Sequence, residues 1–282
     1  MKPLIALISI CLLTLVENAA QAAPQWLPES YRGQVHPIDR PLRLEYNLGT
    51  GSGRRVFLNV VNYPKGNSDL FFFHMHMNEQ DAKRAGEEAV RLRGGTFMYL
   101  THSANARRMK VTIGGQNYTL DPNRVFTEQG IRSDVSPSPP LAVQREVQNF
   151  AEWLKGNIRL ALANRTRVMV SALHNNTDDD AHGELLSIVT ERRLIGIDNL
   201  SAHSSPAWDI DNFYIAIWQS TYDTLVRRHN VNISLRLPRP RPIGYLSNWM
   251  IDEGIEYINV EAQHGDTGAI TRMIEIIQQE FR

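Results

Sequence analysis

An apolar run that ends in histidine and meets a carboxylate three residues later has the spacing of a metal site, and Phe71-Phe72-Phe73-His74-Met75-His76-Met77-Asn78-Glu79 has that form. If Phe71 to His76 is a buried strand and a helix starts near Asn78, the His76 and Glu79 side chains turn toward one point at the strand's C-terminal end. Open α/β sheets hold their ligands there. Neutral imidazole plus carboxylate leaves room for a third protein ligand and a water, the layout of a catalytic rather than a structural zinc site. The bland alternative is a strand-end histidine in an ordinary hydrogen bond. His74 shares a strand face with His76 and is a second candidate ligand, although a core or supporting role suits it better.

Three further segments place reactive side chains at the ends of apolar runs. Leu173-His174-Asn175 offers a second imidazole, so that His76, Glu79 and His174 form a His, Glu, His ligand set. Asp121-Pro122-Asn123-Arg124 brings a guanidinium, and Tyr257-Ile258-Asn259-Val260-Glu261 ends in a carboxylate. Taken singly, Arg124 reads as a salt-bridge partner and Glu261 as a solvated strand-end acid; their joint placement points to chemistry.

The elements that must position these residues alternate along the chain. Val56 to Val61, Leu70 to His76, Thr96 to Thr101, Arg167 to Leu173, Phe213 to Trp218, Val231 to Leu237 and Glu256 to Val260 have the composition of strands. The first two are expected to be neighbours across the turn-forming Tyr63-Pro64-Lys65-Gly66-Asn67. Lys110 to Ile113 and Asn117 to Leu120 flank Gly114-Gly115 as a small hairpin. Helices are expected over Gln80 to Arg93 with a glycine cap, over Thr221 to Arg228, over Ser247 to Glu253, and over Gly268 to Phe281. The spacing of Val147, Phe150, Ala151, Leu154, Ile158, Ala161 and Leu162 predicts another helix after a loop from Ser133 to Pro140. This pattern predicts one α/β domain whose mostly parallel or mixed central sheet is covered by helices on both faces, with its site at the C-terminal edge.

Met1-Lys2, the apolar run Leu4 to Val16 and the small-x-small Ala20-Gln21-Ala22 form a secretory signal peptide over residues 1–22. The run is too short to span a bilayer, so no stable membrane anchor is expected after cleavage, and the compartment is secreted or periplasmic. Residues 23–40 read as an extended, proline-punctuated lead-in and residues 41–282 as the functional domain. The only cysteine, Cys11, lies in the signal peptide. A mature chain without cysteine has no disulfide, no thiolate nucleophile and no thiolate metal ligand. Thirty basic and thirty acidic residues cancel, which removes any general attraction to nucleic acid. A serine hydrolase is disfavoured because no Gly-x-Ser-x-Gly elbow occurs.

With these residues in view, the chain resembles the zinc metallocarboxypeptidase clan, and within it the aspartoacylase and succinylglutamate desuccinylase branch. That branch's signatures are His-Gly-Asn-Glu, Asp-Leu-Asn-Arg-x-Phe, Leu-His-Asn-Thr and a late Glu. The matching stretches are His76 to Glu79, Asp121 to Phe126, Leu173 to Thr177 and Val260-Glu261, in the family's order. Met77 replaces the family glycine, Pro122 the usual leucine, and Ala172 stands where an aspartate often precedes the Leu-His pair. The resemblance implies that His76, Glu79 and His174 hold Zn2+ and that Glu261 is general base and then acid. It further implies that Arg107 or Arg108 faces the oxyanion, that Asn123 and Arg124 grip a substrate carboxylate, and that Tyr245 or Tyr257 lies over the substrate.

The expected substrate is a small peptide or an acylated amino acid with a free carboxylate, and in a periplasm a peptidoglycan stem peptide is the natural instance. An N-acyl amino acid deacylase and a non-catalytic peptide- or glycan-binding module are the alternatives. His102, His203 and His264 are expected to be surface or loop histidines, and the acidic stretch Thr177 to Asp180 a surface loop over the site.

Overall fold

Three consecutive phenylalanines can be buried together only if both faces of their strand are covered, and Phe71, Phe72 and Phe73 are all fully buried. The computed structural model describes residues 23–51, 54–64, 70–103, 105–163, 165, 168–176, 187–241 and 243–281. In chain order these form β1 (Leu42–Asn47), β2 (Arg55–Tyr63), β3 (Leu70–His74), α1 (Gln80–Arg93), β4 (Gly95–Thr101), β5 (Met109–Ile113), β6 (Gln116–Leu120), α2 (Glu128–Asp134), α3 (Leu141–Leu162), β7 (Met169–Asn176), α4 (Ile188–Arg193), β8 (Asn199–His203), β9 (Phe213–Ala216), α5 (Gln219–His229), β10 (Ile233–Arg236), α6 (Leu246–Glu253), β11 (Glu256–Gln263) and α7 (Thr267–Glu280). The expected signal peptide and the acidic stretch Thr177 to Asp180 lie outside the described residues. Among the described residues no helix is long and apolar enough to cross a membrane.

Nine strands form one mixed sheet in the order β1-β2-β4-β3-β7-β11-β9-β10-β8, and β5 pairs with β6 as the expected hairpin. The central strands β4, β3, β7 and β11 are mutually parallel. Their C-terminal ends therefore open on the same edge, which is what lets distant segments meet. β2 and β3, expected to be neighbours, are separated by β4, which pairs with both. β2 and β3 therefore do not pair with each other as a hairpin.

The phenylalanine run shows how the layers are built. Phe71 and Phe73 pack into a core with Phe150, Trp153 and Leu154 of α3 and Trp249 of α6. Phe72 points to the other face, into a core with Ala82 and Val90 of α1, Leu225 of α5 and Met273 of α7. Each buried phenylalanine contributes about 1.5–3 kcal/mol relative to exposure. α1 lies close on the sheet because Gly86 faces it: a Cβ there would come within 2.7 Å of the Phe97 ring and 2.8 Å of Leu173.

Several elements differ from the sequence reading. β1 extends the sheet ahead of the expected first strand, pairing Leu42 through Asn47 with β2. Part of the expected loop from Ser133 to Pro140 is the end of α2, whose N-cap Thr127 accepts a hydrogen bond from the Gly130 N–H. α4 and the edge strand β8 are additional. The lead-in is fastened down rather than free: it carries a 3-10 turn at Glu29–Gly33, the Tyr31 hydroxyl donates to the Ala161 carbonyl at 2.9 Å, and the Trp153 indole donates to the Gln25 carbonyl at 2.7 Å.

Candidate metal centre and active site

Just past β3 the chain makes a turn in which the Glu79 N–H donates to the His76 carbonyl at 3.0 Å. This turn delivers the Glu79 carboxylate to the His76 ring, with Oε1 2.7 Å from Nδ1. His74 steadies the turn. Its Nε2 donates to the Glu79 carbonyl at 2.9 Å, and burial pushes its pKa down to about 3, which keeps the ring neutral. β7 brings the third group: His174 Nδ1 lies 3.0 Å from Glu79 Oε2. The next residue ties the two segments together, because Asn175 Oδ1 accepts from the Ala82 N–H at 2.9 Å and caps the first turn of α1.

One candidate ligand atom from each of His76, Glu79 and His174 lies within 4.8 Å of the other two, and all three residues are buried. His76 Nε2 lies 2.8 Å from Asp121 Oδ1. An ionised carboxylate only accepts, so Nε2 carries a proton toward Asp121 and Nδ1 carries one toward Glu79; Nδ1 offers a lone pair when a bound cation displaces that proton. The two Nδ1 atoms stand 3.2 Å apart. Burial lowers the pKa of His76, but the Glu79 and then the Asp121 carboxylates more than reverse this and raise it to about 9. Burial likewise opposes ionisation of Glu79, yet His76 and His174 hold its carboxyl well below the usual range. The point between the three side chains therefore favours a positive charge. Two imidazoles and a carboxylate form a nitrogen and oxygen donor set that suits zinc with a coordination position left open; the residues fit the ion. His174 Nε2, by contrast, is buried without a hydrogen-bond partner among the described residues.

Asp121 has no assigned role in the sequence reading, although a signal was present. A short acidic residue directly before proline favours a capped turn, and its side chain does accept from the Asn123 N–H at 2.8 Å at the start of a 3-10 turn over Pro122–Arg124. The two adjacent arginines part company. Arg107 reaches the ligand cluster, with Nη1 3.2 Å from Glu79 Oε1 and Nε 3.4 Å from Asp121 Oδ2. Arg108 is engaged by Asp134 instead, donating to Oδ1 at 2.8 Å and to the Asp134 carbonyl at 2.6 Å. Asp134 also accepts from the Asp121 N–H at 2.7 Å, so Arg108 acts on the site through the backbone it braces.

A cavity of about 460 Å³ opens beside the cluster, lined among others by Arg107, Asn123, His174, Tyr245, Tyr257 and Glu261. Asn123 Oδ1 accepts from the Leu246 N–H at 3.2 Å. Arg124 does not line the cavity. Its guanidinium sits 5.2 Å from the Tyr245 ring centroid and 3.8 Å from Asp121 Oδ2. The turn and the Tyr245 segment meet at two glycines: a Cβ on Gly130 would lie 2.5 Å from Gly244 Cα, and one on Gly244 would collide with the Arg124 carbonyl.

Glu261 and His174 are register partners on β11 and β7. Burial raises the Glu261 pKa, and Glu79 adds to the rise while His174 and Arg107 oppose it. Asn259 Nδ2 donates to Glu261 Oε1 at 2.7 Å. Among the described residues, the other histidines singled out in the sequence are not part of the His76, Glu79 and His174 group. His203 pairs with Asn230 at 2.9 Å and His264 with Asp81 at 3.1 Å, while His102 is partly buried.

No protein-family model matches the chain, and no curated protein matches it. In structure it is similar to a gene product of Agrobacterium tumefaciens (12% identity, TM-score 0.45, covering 82% of this chain and 95% of the other). It is also similar to the succinylglutamate desuccinylase of Chromobacterium violaceum (12% identity, TM-score 0.40, 85% and 69%) and to an aspartoacylase family protein of Mesorhizobium loti (14% identity, TM-score 0.40, 90% and 70%). Two of the three carry the names of the branch whose motifs this chain resembles.

Proposed function

We propose that this chain is a zinc-dependent hydrolase that cleaves an amide bond next to a free carboxylate. The observation that carries the reading is the meeting of His76, Glu79 and His174 at one buried point, with Glu261 beside them on the neighbouring strand. Zinc, when bound, supplies the positive charge that polarises a carbonyl and acidifies water. Glu261, lining the same cavity, takes a proton from the attacking water and hands it to the leaving nitrogen. Arg107 offers a fixed cation for the developing oxyanion. Asn123, backed by Arg124, and Tyr245 hold the substrate's carboxylate end. Asp121 keeps the His76 ring in the orientation and tautomer that ligation needs.

The signal-peptide reading adds a compartment, and with it a carboxypeptidase acting on peptides such as peptidoglycan stem peptides. A second reading, an N-acyl amino acid deacylase, is favoured by the Asn78-Glu79 and Leu173-His174-Asn175 sequences that this chain shares with that branch's motifs. Incubation of the zinc-loaded protein with muropeptides and with acylated amino acids, followed by mass analysis, tests both. Release of a C-terminal residue supports the first, and release of an acyl group alone supports the second. A protein that takes up no zinc and turns over neither substrate would sink the hydrolase reading.

A further inference from the structure

We propose that Asn259 is a positioning residue for Glu261: its carboxamide holds one carboxylate oxygen, so that the other is the one that takes a proton from water. The proposal rests on the hydrolase reading above and deepens it.

Strand register sets the geometry. Asn259 and Glu261 stand two residues apart on β11 and so share one sheet face, and both line the cavity. On one side of β11, Glu261 lies opposite His174 of β7 and Asn259 lies opposite Ala172. On the other side, Asn259 lies opposite Ile215 of β9. The cross-strand neighbours of Asn259 are thus a methyl group and an aliphatic chain, and neither side chain can form a hydrogen bond. The carboxamide bonds along its own strand instead, where Nδ2 donates to Glu261 Oε1 at 2.7 Å.

Packing does not account for an asparagine at this position. The residue is 9% exposed, and its Oδ1 is buried without a hydrogen-bond partner among the described residues. An orphaned buried oxygen is destabilising. Leucine has the same branched outline and would fill the space between Ala172 and Ile215 with no polar atom to satisfy. What leucine cannot supply is the donor to Glu261. That donor matters because a carboxylate on a flexible glutamate side chain has several staggered arrangements open to it, whereas a general base works only within hydrogen-bond reach of the proton it removes. With Oε1 held by Asn259, no hydrogen bond to a described residue engages Oε2. Oε2 is therefore the oxygen left to receive the proton, in a carboxylate whose orientation is fixed before substrate arrives.

A double-mutant cycle on the zinc-loaded protein tests this, with the muropeptide or acylated amino acid that the unmodified protein turns over. Asn259→Leu should lower kcat about 10- to 100-fold, with KM and zinc content close to those of the unmodified protein. In a Glu261→Gln background no carboxylate is left to orient, and the same substitution should change the residual kcat by less than about twofold. A merely structural role would lower kcat by the same factor in both backgrounds. Equal losses in the two backgrounds, a near-normal kcat for Asn259→Leu, or a rise in KM with kcat unchanged would each overturn the proposal. Should Asn259→Leu not fold, Asn259→Ser, whose hydroxyl is too short to reach Glu261, goes through the same cycle with the same expected result. The two ideas fail in different ways: turnover with equal losses removes Asn259 alone, whereas zinc-loaded protein that turns over no amide removes the hydrolase reading and this role with it.

Discussion

Glu261 stands opposite His174 on adjacent parallel strands, with Val260 opposite Leu173 and Ala262 opposite Asn175 on either side. Neighbouring strands run about 4.8 Å apart, so the spacing between the proposed base and a proposed metal ligand is set by backbone hydrogen bonds and not by a loop. Glu261→Gln should therefore fold and keep its zinc while losing about 100- to 10,000-fold in kcat. Turnover and bound zinc measured on the same preparation check this, and near-normal turnover would remove Glu261 from the mechanism.

His174→Ala removes one of three ligands and should fail to retain zinc through dialysis. Asp121→Asn keeps the shape of the group that orients His76 but loses its charge, and zinc affinity should fall about 10- to 100-fold. Competition with a coloured chelator reads both. Chelation of the unmodified protein should abolish turnover, and added zinc should restore it.

The two neighbouring arginines should separate cleanly. Arg107→Ala is expected to lower kcat about 100- to 1,000-fold with little change in the unfolding midpoint. Arg108→Ala leaves Asp134 buried without its main partner and should cost about 1–3 kcal/mol of stability, read by urea unfolding. The opposite pattern would exchange their roles.

Asp198, a buried residue of the cavity lining, gives a pH signature. Its hydrogen bonds to the Arg241 guanidinium hold its carboxyl below the usual range, and Arg236 adds a smaller pull in the same direction. A depressed folded value means the stabilisation is complete above the unfolded value of about 3.9 and is lost as pH falls through the lower folded value. Asp198→Asn should thus unfold at lower urea than the unmodified protein at neutral pH, and the gap should close below about pH 4.

Gly130→Ala inserts a methyl group where Gly244 already sits, and overpacking of this kind costs about 1–3 kcal/mol. The same contact aligns Asn123 with the Tyr245 segment, so KM should rise more than kcat falls. Steady-state kinetics on the carboxylate-bearing substrate make the comparison.

Much of this was readable from sequence because burial on both sheet faces leaves long apolar runs. Phe71 to Phe73 and Met169 to Leu173 announce central strands, and the stripe of Ile270, Met273, Ile274 and Ile277 announces α7, all four buried. β1 is less legible because it sits at the sheet edge, where Leu42, Leu44 and Tyr46 alternate with polar residues. α2 is seven residues long, too short for periodicity to register. At the site, type and spacing identify the three candidate ligands, but spacing cannot tell Arg107 from Arg108. Nor could it single out Asp121, whose place lies in which groups across the sheet it meets.

The order β3-β7-β11 at the middle of the sheet has a further consequence for how the molecule is made. His76 and Glu79 emerge together, but His174 follows 98 residues after His76, and among the described residues β11 follows every other strand. Contacts this remote in sequence close slowly, after local structure has formed. A chain still being synthesised can offer at most a weak two-point grip on a metal, and its proton-transfer group does not yet exist. On the proposed reading the full set of groups comes together only once β11 has docked, so a chain that has not yet reached β11 lacks the proposed active site.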